Sequence, residues 1–410
     1  MEIDGTCAPE FSQVREEFAG NFAERGEVGA SVCVIVDGET VVDLWGGVAD
    51  PASGRAWSRD TIGHVWSATK GATALCAHML ISRGLLDLNA PVAAYWPEFA
   101  KNGKDGILVR HLLNHQAGLP AVREPLPAGA LYDWTLMTDT LAREEPFWRP
   151  GTRNGYHVLT FGYLVGEVIR RVSGRTLGTF FREEVAEPLG LDFWLGLPEE
   201  HEPRVAPTIP AAPPGPGDPV PSFYVAALTD PASMPALALA NSGGYMIIPG
   251  ESDTRAAHAA EIGAVGGITN ARGLAGMYRP LALGGAPLVD PAQLAVMGAI
   301  SSATSVDAMM LVPTRWTLGF VPTVDNRYLP PADREGVLMS EDAFGHTGMG
   351  GSHAFADPRA RLAFGYTMNR QGSGLGVNAR GQSLIDAVYA ALGYRRIDDG
   401  GPWYLLPSSA

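Results

Sequence analysis

Serine and lysine stand three residues apart in Trp66-Ser67-Ala68-Thr69-Lys70. On a helix, positions i and i+3 share a face, so the Ser67 hydroxyl and the Lys70 amine would point the same way. A serine in the first helical turn has free backbone N–H groups and the positive end of the helix dipole beside it. Such donors can stabilise the oxyanion that forms when the serine attacks a carbonyl. The lysine can take the serine proton or lower the pKa of a second base. A four-residue pattern recurs by chance, and its plain alternative is a helix-capping serine followed by a solvated lysine. Lysine usage bears on the choice. Of the 30 Lys and Arg residues only those at 70, 101 and 104 are lysine. Lys101 and Lys104 fall in the polar run Lys101-Asn102-Gly103-Lys104-Asp105-Gly106, which reads as a surface loop, whereas Lys70 lies in an uncharged run. Arginine does not give up its proton in a protein, so a site needing a deprotonatable amine must keep lysine.

Further motifs follow in order: Leu112-Leu113-Asn114-His115-Gln116-Ala117-Gly118-Leu119, Pro150-Gly151-Thr152 with Tyr156, Glu187-Pro188-Leu189-Gly190-Leu191, and Gly345-His346-Thr347-Gly348. Together with Ser67-Ala68-Thr69-Lys70 they make the chain resemble, over roughly residues 10–395, the class C β-lactamases, D-alanyl-D-alanine peptidases and family VIII carboxylesterases. The resemblance implies a class C β-lactamase-like α+β fold. It implies Ser67 as nucleophile, with Lys70 and Tyr156 as its proton-handling partners. It also implies an oxyanion hole from the backbone N–H groups of Ser67 and Met349, beside a strand carrying His346, Thr347 and Gly348. A glycine on that strand lets a substrate approach closely. Tyrosine ordinarily titrates near 10; lowering it by about three units takes roughly 4 kcal/mol. A protonated lysine within about 4 Å in a partly dry pocket could supply that. His115 belongs to a motif that is structural in the family. His64, His78, His157 and His353 have no supporting pattern and read as core or surface histidines.

Two departures bear on substrate. Tyr156-His157-Val158 has Val158 where the lactamases carry an amide that holds the acylamino group of a β-lactam. His346 stands where they carry the lysine that helps hold the β-lactam carboxylate, and histidine is mostly uncharged at neutral pH. An ester needs neither group. The expectation is therefore a serine carboxylesterase acting on small-molecule esters through an acyl-serine intermediate. A β-lactamase or D-alanyl-D-alanine peptidase, an acyltransferase, and a non-catalytic penicillin-binding-like sensor are the alternatives. The Gly-x-Ser-x-Gly elbow of the α/β-hydrolases is absent. His-Glu-x-x-His, Walker A and Gly-x-Gly-x-x-Gly patterns are absent too, so no metal or nucleotide cofactor is expected.

The elements that must position these groups read as follows. Phe11, Val14, Phe18 and Phe22 give residues 10–25 a helical apolar face. Residues 29–36 and 40–45 form a hairpin about Asp37-Gly38, ended by Gly46-Gly47. Helices are expected at 67–84 (buried), 107–118, 160–172, 176–187, 272–283 and 380–392, and strands at 316–321, 343–347, 351–356 and 361–368. Eight prolines between 203 and 222 read as a long irregular loop, with Phe223-Tyr224 beside it as a wall of the pocket. Strands at both chain ends predict one antiparallel sheet flanked by helices, with residues 1–90 and 250–410 forming a discontinuous sheet domain around a mostly helical lobe at 91–249.

Composition sets limits. With 46% hydrophobic and 18% charged residues, the chain can bury a large core. A net charge of −14 and the absence of a basic stretch argue against nucleic acid and anionic membranes as partners. Cys7, Cys33 and Cys76 are too few and scattered for a disulfide framework. Met1-Glu2-Ile3-Asp4 lacks the basic and apolar regions of a signal peptide, and no uninterrupted apolar run is long enough to span a bilayer, so a cytoplasmic location is expected.

Overall fold

Alternating side chains on two strands from opposite ends of the chain build the centre of the molecule. The computed structural model describes residues 2–215, 217–396, 398 and 400–405; Met1, at the head of the N-terminal reading, and Pro216, in the proline-rich segment, lie outside them. Strand β1 (Ile3–Cys7) precedes helix α1 (Ser12–Glu24), β2 (Gly29–Val36) and β3 (Glu39–Asp50). Helix α2 (Thr69–Ser82), α3 (Thr160–Ser173) and α4 (Ala271–Ala282) follow. Strands β4 (Val321–Pro322), β5 (Phe344–Thr347), β6 (His353–Asp357) and β7 (Leu362–Met368) lead to the last helix, α5 (Ala379–Ala391). The sheet order is β1-β3-β2-β7-β6-β5-β4, antiparallel throughout, so β2 and β7 join the two chain ends as expected.

Both central strands are buried on both faces, which takes two covering layers. Val32, Val34, Phe364 and Tyr366 point into one core with Phe18 of α1 and Leu384 and Val388 of α5. Cys33, Ile35 and Ala363 point the other way, into a core shared with α4 and α2. The period of two along each strand decides this division. Gly365 marks the crossing of α4: a Cβ there would lie 2.3 Å from the Ala271 carbonyl oxygen.

Several elements differ from the sequence reading. Asp37 and Gly38 form the expected turn with positive φ at both residues, but β3 runs on through Gly46-Gly47 to Asp50. Those glycines admit neighbouring backbone rather than ending the strand: a Cβ on Gly47 would meet Val28 O at 2.0 Å. The helix expected at 107–118 is confined to Val109–Leu113, since His115 and Gly118 take positive φ. The strand expected at 316–321 is split into Thr314–Trp316 and β4 by Gly319, at φ +94°. The proline-rich segment is irregular over 207–215 and 217–221, but its start completes a 3-10 turn (Glu199–Arg204) and a short strand (Val205–Ala206). Lys104 is not on the surface: it is fully buried, its amine on the Glu144 carbonyl. Among the described residues no single helix is long and apolar enough to cross a membrane.

Candidate active site

Ser67 lies in a 3-10 turn, Trp66–Ala68, that feeds directly into α2. Trp66 has φ +49°, a left-handed conformation that costs energy for a side chain of this size and persists only where its surroundings enforce it. Here they do. The Trp66 indole stacks on His64 at 4.2 Å, and Thr69 Oγ1 donates to the Trp66 carbonyl. Thr69 Oγ1 in turn accepts from Gly267 N at 2.8 Å, and Val65 N donates to Gly267 O at 2.9 Å. The segment before Ser67 is thus anchored to the stretch leading into α4, through a small sheet that pairs Ile62–His64 with Gly267–Thr269.

Lys70 is wholly buried. Its Nζ lies 3.1 Å from Ser67 Oγ, 2.7 Å from the Val158 carbonyl oxygen and 3.0 Å from the Ala264 carbonyl oxygen. A neutral amine has two N–H donors and one lone pair, a protonated one three donors and none. A protonated amine would donate to both carbonyls and to Ser67 Oγ; a neutral one would donate to the two carbonyls and turn its lone pair to the Ser67 hydroxyl. Burial pushes the amine well below its ordinary value, with no carboxylate among the causes to hold it charged.

Tyr156 sits on an irregular loop, residues 153–157, 7% exposed. Its ring lies 4.7 Å from Lys70 Nζ. Burial drives the phenol above its ordinary value, opposed more weakly by a hydrogen bond with the Ser67 hydroxyl. Burial thus works against the phenolate that a protonated lysine would favour. In this dry site lysine and tyrosine both shift towards their neutral forms, since burial disfavours either charge.

What fixes Tyr156 was not visible in the sequence. Its N–H donates to Asp307 Oδ1 at 3.0 Å, and its ring stacks on Trp316 at 5.1 Å with the planes 1° apart. Neither residue belongs to a recognisable spacing. His115, as expected, packs behind the ring: its centroid is 5.0 Å from that of Tyr156 and 4.4 Å from that of Trp316, and its Nδ1 accepts from His157 N.

The structure brings β5 to the same place. His346 stacks alongside Tyr156 and Trp316, its Nδ1–H donating to the Thr347 carbonyl at 2.8 Å. Its Nε2 is buried without a partner among the described residues. Burial, the largest cause, pulls His346 down to about 3, which favours the neutral ring. Gly348 begins the turn after β5, its N–H donating to Ser352 O at 2.7 Å. A Cβ on Gly348 would lie 2.2 Å from Val65 O, so the turn fits against the segment before Ser67 only with glycine.

Two apolar voids meet at Tyr156, Phe223 and Leu375. The smaller is lined by Ser67, Val158, Leu239, Met246, Val265 and Met349 among others. The larger is lined by His346, Thr347, Trp316, Val324, Val337 and Pro221 among others. Of the proposed wall, Pro221 and Phe223 line these voids; Tyr224 does not, and Ala211 and Ala212 border a separate cleft beside Arg25 and Arg370. Among the described residues no three His, Cys, Asp or Glu side chains gather as a metal site would require.

The beta-lactamase family profile matches residues 14–388. The chain belongs to this family, which places it among hydrolases with a β-lactamase-like fold. It is 37% identical over 382 residues to the esterase/beta-lactamase LipL of Mycobacterium tuberculosis (strain ATCC 25618 / H37Rv), covering 90% of this chain and 83% of that one. A crystal structure of a family VIII carboxylesterase superposes with a TM-score of 0.82 at 39% identity, over 95% of this chain and all of the other. A penicillin-binding protein homologue from Caulobacter crescentus gives 0.81 at 36% identity, again over 95% of this chain and all of the other.

Proposed function

We propose that the protein hydrolyses apolar carboxylic esters through an acyl-Ser67 intermediate. The observation that carries this reading is the Lys70 amine, buried without a counter-ion and 3.1 Å from Ser67 Oγ. Neutral Lys70 takes the Ser67 proton as Oγ bonds to the ester carbonyl carbon. The Ser67 and Met349 amides hold the oxyanion. As the C–O bond to the alcohol breaks, Tyr156 gives its phenolic proton to the departing alkoxide and is reprotonated from Lys70. Water then enters, loses a proton by the reverse path, and releases the acid.

The voids favour an ester over a β-lactam. The small void holds Val158 instead of an amide, and a neutral His346 stands on the strand where the lactamases carry lysine; the one cation lining the large void is Arg315, accompanied there by Asp333 and Glu335. The acyl group fits the void that contains Ser67, and the alcohol fits the larger one beyond Tyr156. The family VIII carboxylesterase similarity supports the ester reading, while the name of LipL carries both esterase and beta-lactamase. The test is kcat/KM on short p-nitrophenyl esters beside nitrocefin, with product analysis in the presence of a second alcohol. Esters should be turned over faster, with the free acid as main product. Ser67→Ala should lose at least about a hundredfold while staying folded; faster lactam turnover, or an active Ser67→Ala, would overturn the proposal.

A further inference from the structure

Tyr156 has no secondary structure to hold it, yet proton donation tolerates little error in the donor's position. We propose that Asp307 is the positioning residue for Tyr156, gripping it at both ends. Asp307 lies in the excursion between strands Ser302–Thr304 and Thr314–Trp316, and its side chain is fully buried. One carboxylate oxygen, Oδ1, accepts from the backbone N–H groups of Tyr156 (3.0 Å), Met309 (2.9 Å) and Met310 (2.9 Å). The other, Oδ2, accepts from the Thr314 hydroxyl at 3.0 Å. Thr314 Oγ1 accepts from the Trp316 indole N–H at 3.1 Å, and Trp316 lies flat on the Tyr156 ring. The first path fixes the Tyr156 main chain, and the second fixes the surface its ring rests on.

A buried carboxylate is costly unless its oxygens are satisfied. Here the partners are three amides and one hydroxyl, with no cation paired to it among the described residues. An amide has a single acceptor oxygen and could not take all four of these hydrogen bonds in the same way. The carboxylate also places a negative charge close to the phenol, which favours the protonated form that the departing alkoxide needs. The charged groups and titratable rings facing Tyr156 from other elements are Lys70 on α2, His115 and His346.

The inference rests on the proposed role of Tyr156 as proton donor, and the test separates the two. A nitrophenolate leaves without a proton; an alkoxide does not. The quantity read is therefore kcat/KM for an ethyl or butyl ester relative to the p-nitrophenyl ester of the same acid. Tyr156→Phe sets the scale, with a loss of ~100-fold or more on the alkyl ester and a much smaller loss on the nitrophenyl ester. Asp307→Asn should show the same selectivity, with about a tenfold loss confined to the alkyl ester. Thr314→Val should lose alkyl-ester turnover selectively and Thr314→Ser should restore it. Equal losses on both esters in folded Asp307→Asn, or no loss, overturn the clamp. If that variant does not fold, Thr314→Val decides, and behaviour like Thr314→Ser overturns it. A Tyr156→Phe enzyme without leaving-group selectivity removes the donor role itself, and the clamp with it.

Discussion

The Lys70 amine lies 3.1 Å from the Ser67 hydroxyl, and its other two partners are main-chain carbonyls. Nothing anionic holds it protonated, so it is poised as a base. Burial lowers its pKa, so the base form exists at pH values where a free lysine would be charged. Activity should rise with pH along an acid limb set by this amine and then level off far below 10. Lys70→Arg, which keeps the charge but cannot give a neutral base, should lose ~1,000-fold or more in kcat/KM. A Lys70→Arg enzyme within tenfold of wild type would remove lysine from the mechanism.

The same burial affects stability, with a sign that can be worked out. The unfolded lysine titrates near 10.4, the folded one lower. Between the two values the unfolded chain binds more protons, so stability rises with pH and falls as pH drops from about 10 towards the folded value. Lys70→Met lacks this titration. Its melting temperature relative to wild type should therefore increase as pH is lowered from about 10 to 7. A constant difference across that range in thermal scans would show that Lys70 is not buried as a neutral amine.

How much of this was legible in the sequence depended on the range of the signal. α1 was legible from its helical periodicity and β2 from a short β-rich apolar run, while Ser67 and Lys70 stood out only once the motifs at Tyr156 and His346–Gly348 were read with them. The two positive-φ residues that shorten the helix at His115 and the passage of β3 through Gly46-Gly47 were not legible. Both are set by neighbouring backbone from elsewhere in the chain, not by local preference. Asp307, Thr314 and Trp316 were missed for the same reason: they act on Tyr156 from about 150 residues away, and nothing in their own stretch marks them. The resemblance placed Tyr156 near Lys70, but how dry the pair is shows only in the packed structure, where burial shifts both groups towards their neutral forms.

Gly348 tests the proposed oxyanion turn. A Cβ at this position would stand 2.2 Å from Val65 O and 3.3 Å from Ser352 Cβ, so the turn carrying Met349 must move away from Ser67. Gly348→Ala should lower kcat about a hundredfold or more, the scale for losing an oxyanion donor, with a smaller change in KM. The measurement is steady-state kinetics on a butyrate ester. Unchanged kcat would place the oxyanion site elsewhere.

The unequal voids make a size prediction. Leu239 lines only the smaller void and Val324 the larger. Leu239→Trp should cut kcat/KM for hexanoate esters about tenfold, by overpacking, and leave acetate esters within about threefold. Val324→Trp should leave the acyl series unchanged and discriminate against bulky alcohols. A matrix of acids against alcohols reads both, and a crossed pattern would exchange the two assignments.

Val158 and His346 carry the argument for esters over lactams, and they can be reversed. The Val158 side chain faces the small void while its carbonyl holds Lys70, so the backbone contact survives a side-chain change. An asparagine amide placed there meets an apolar lining and gains only when a substrate brings an acylamino group to bond it. His346 is neutral, with Nε2 unpartnered beside the large void; a lysine there would offer a cation to a substrate carboxylate. The double change Val158→Asn, His346→Lys should shift the ratio of nitrocefin to ester turnover by about tenfold or more towards nitrocefin, equivalent to ~1.4 kcal/mol of differential transition-state binding. Each single variant should move the ratio less than the pair, because the lactam presents both groups at once. A double variant whose ratio stays at the wild-type value would mean that the shape of the two voids, not these two side chains, decides between ester and lactam.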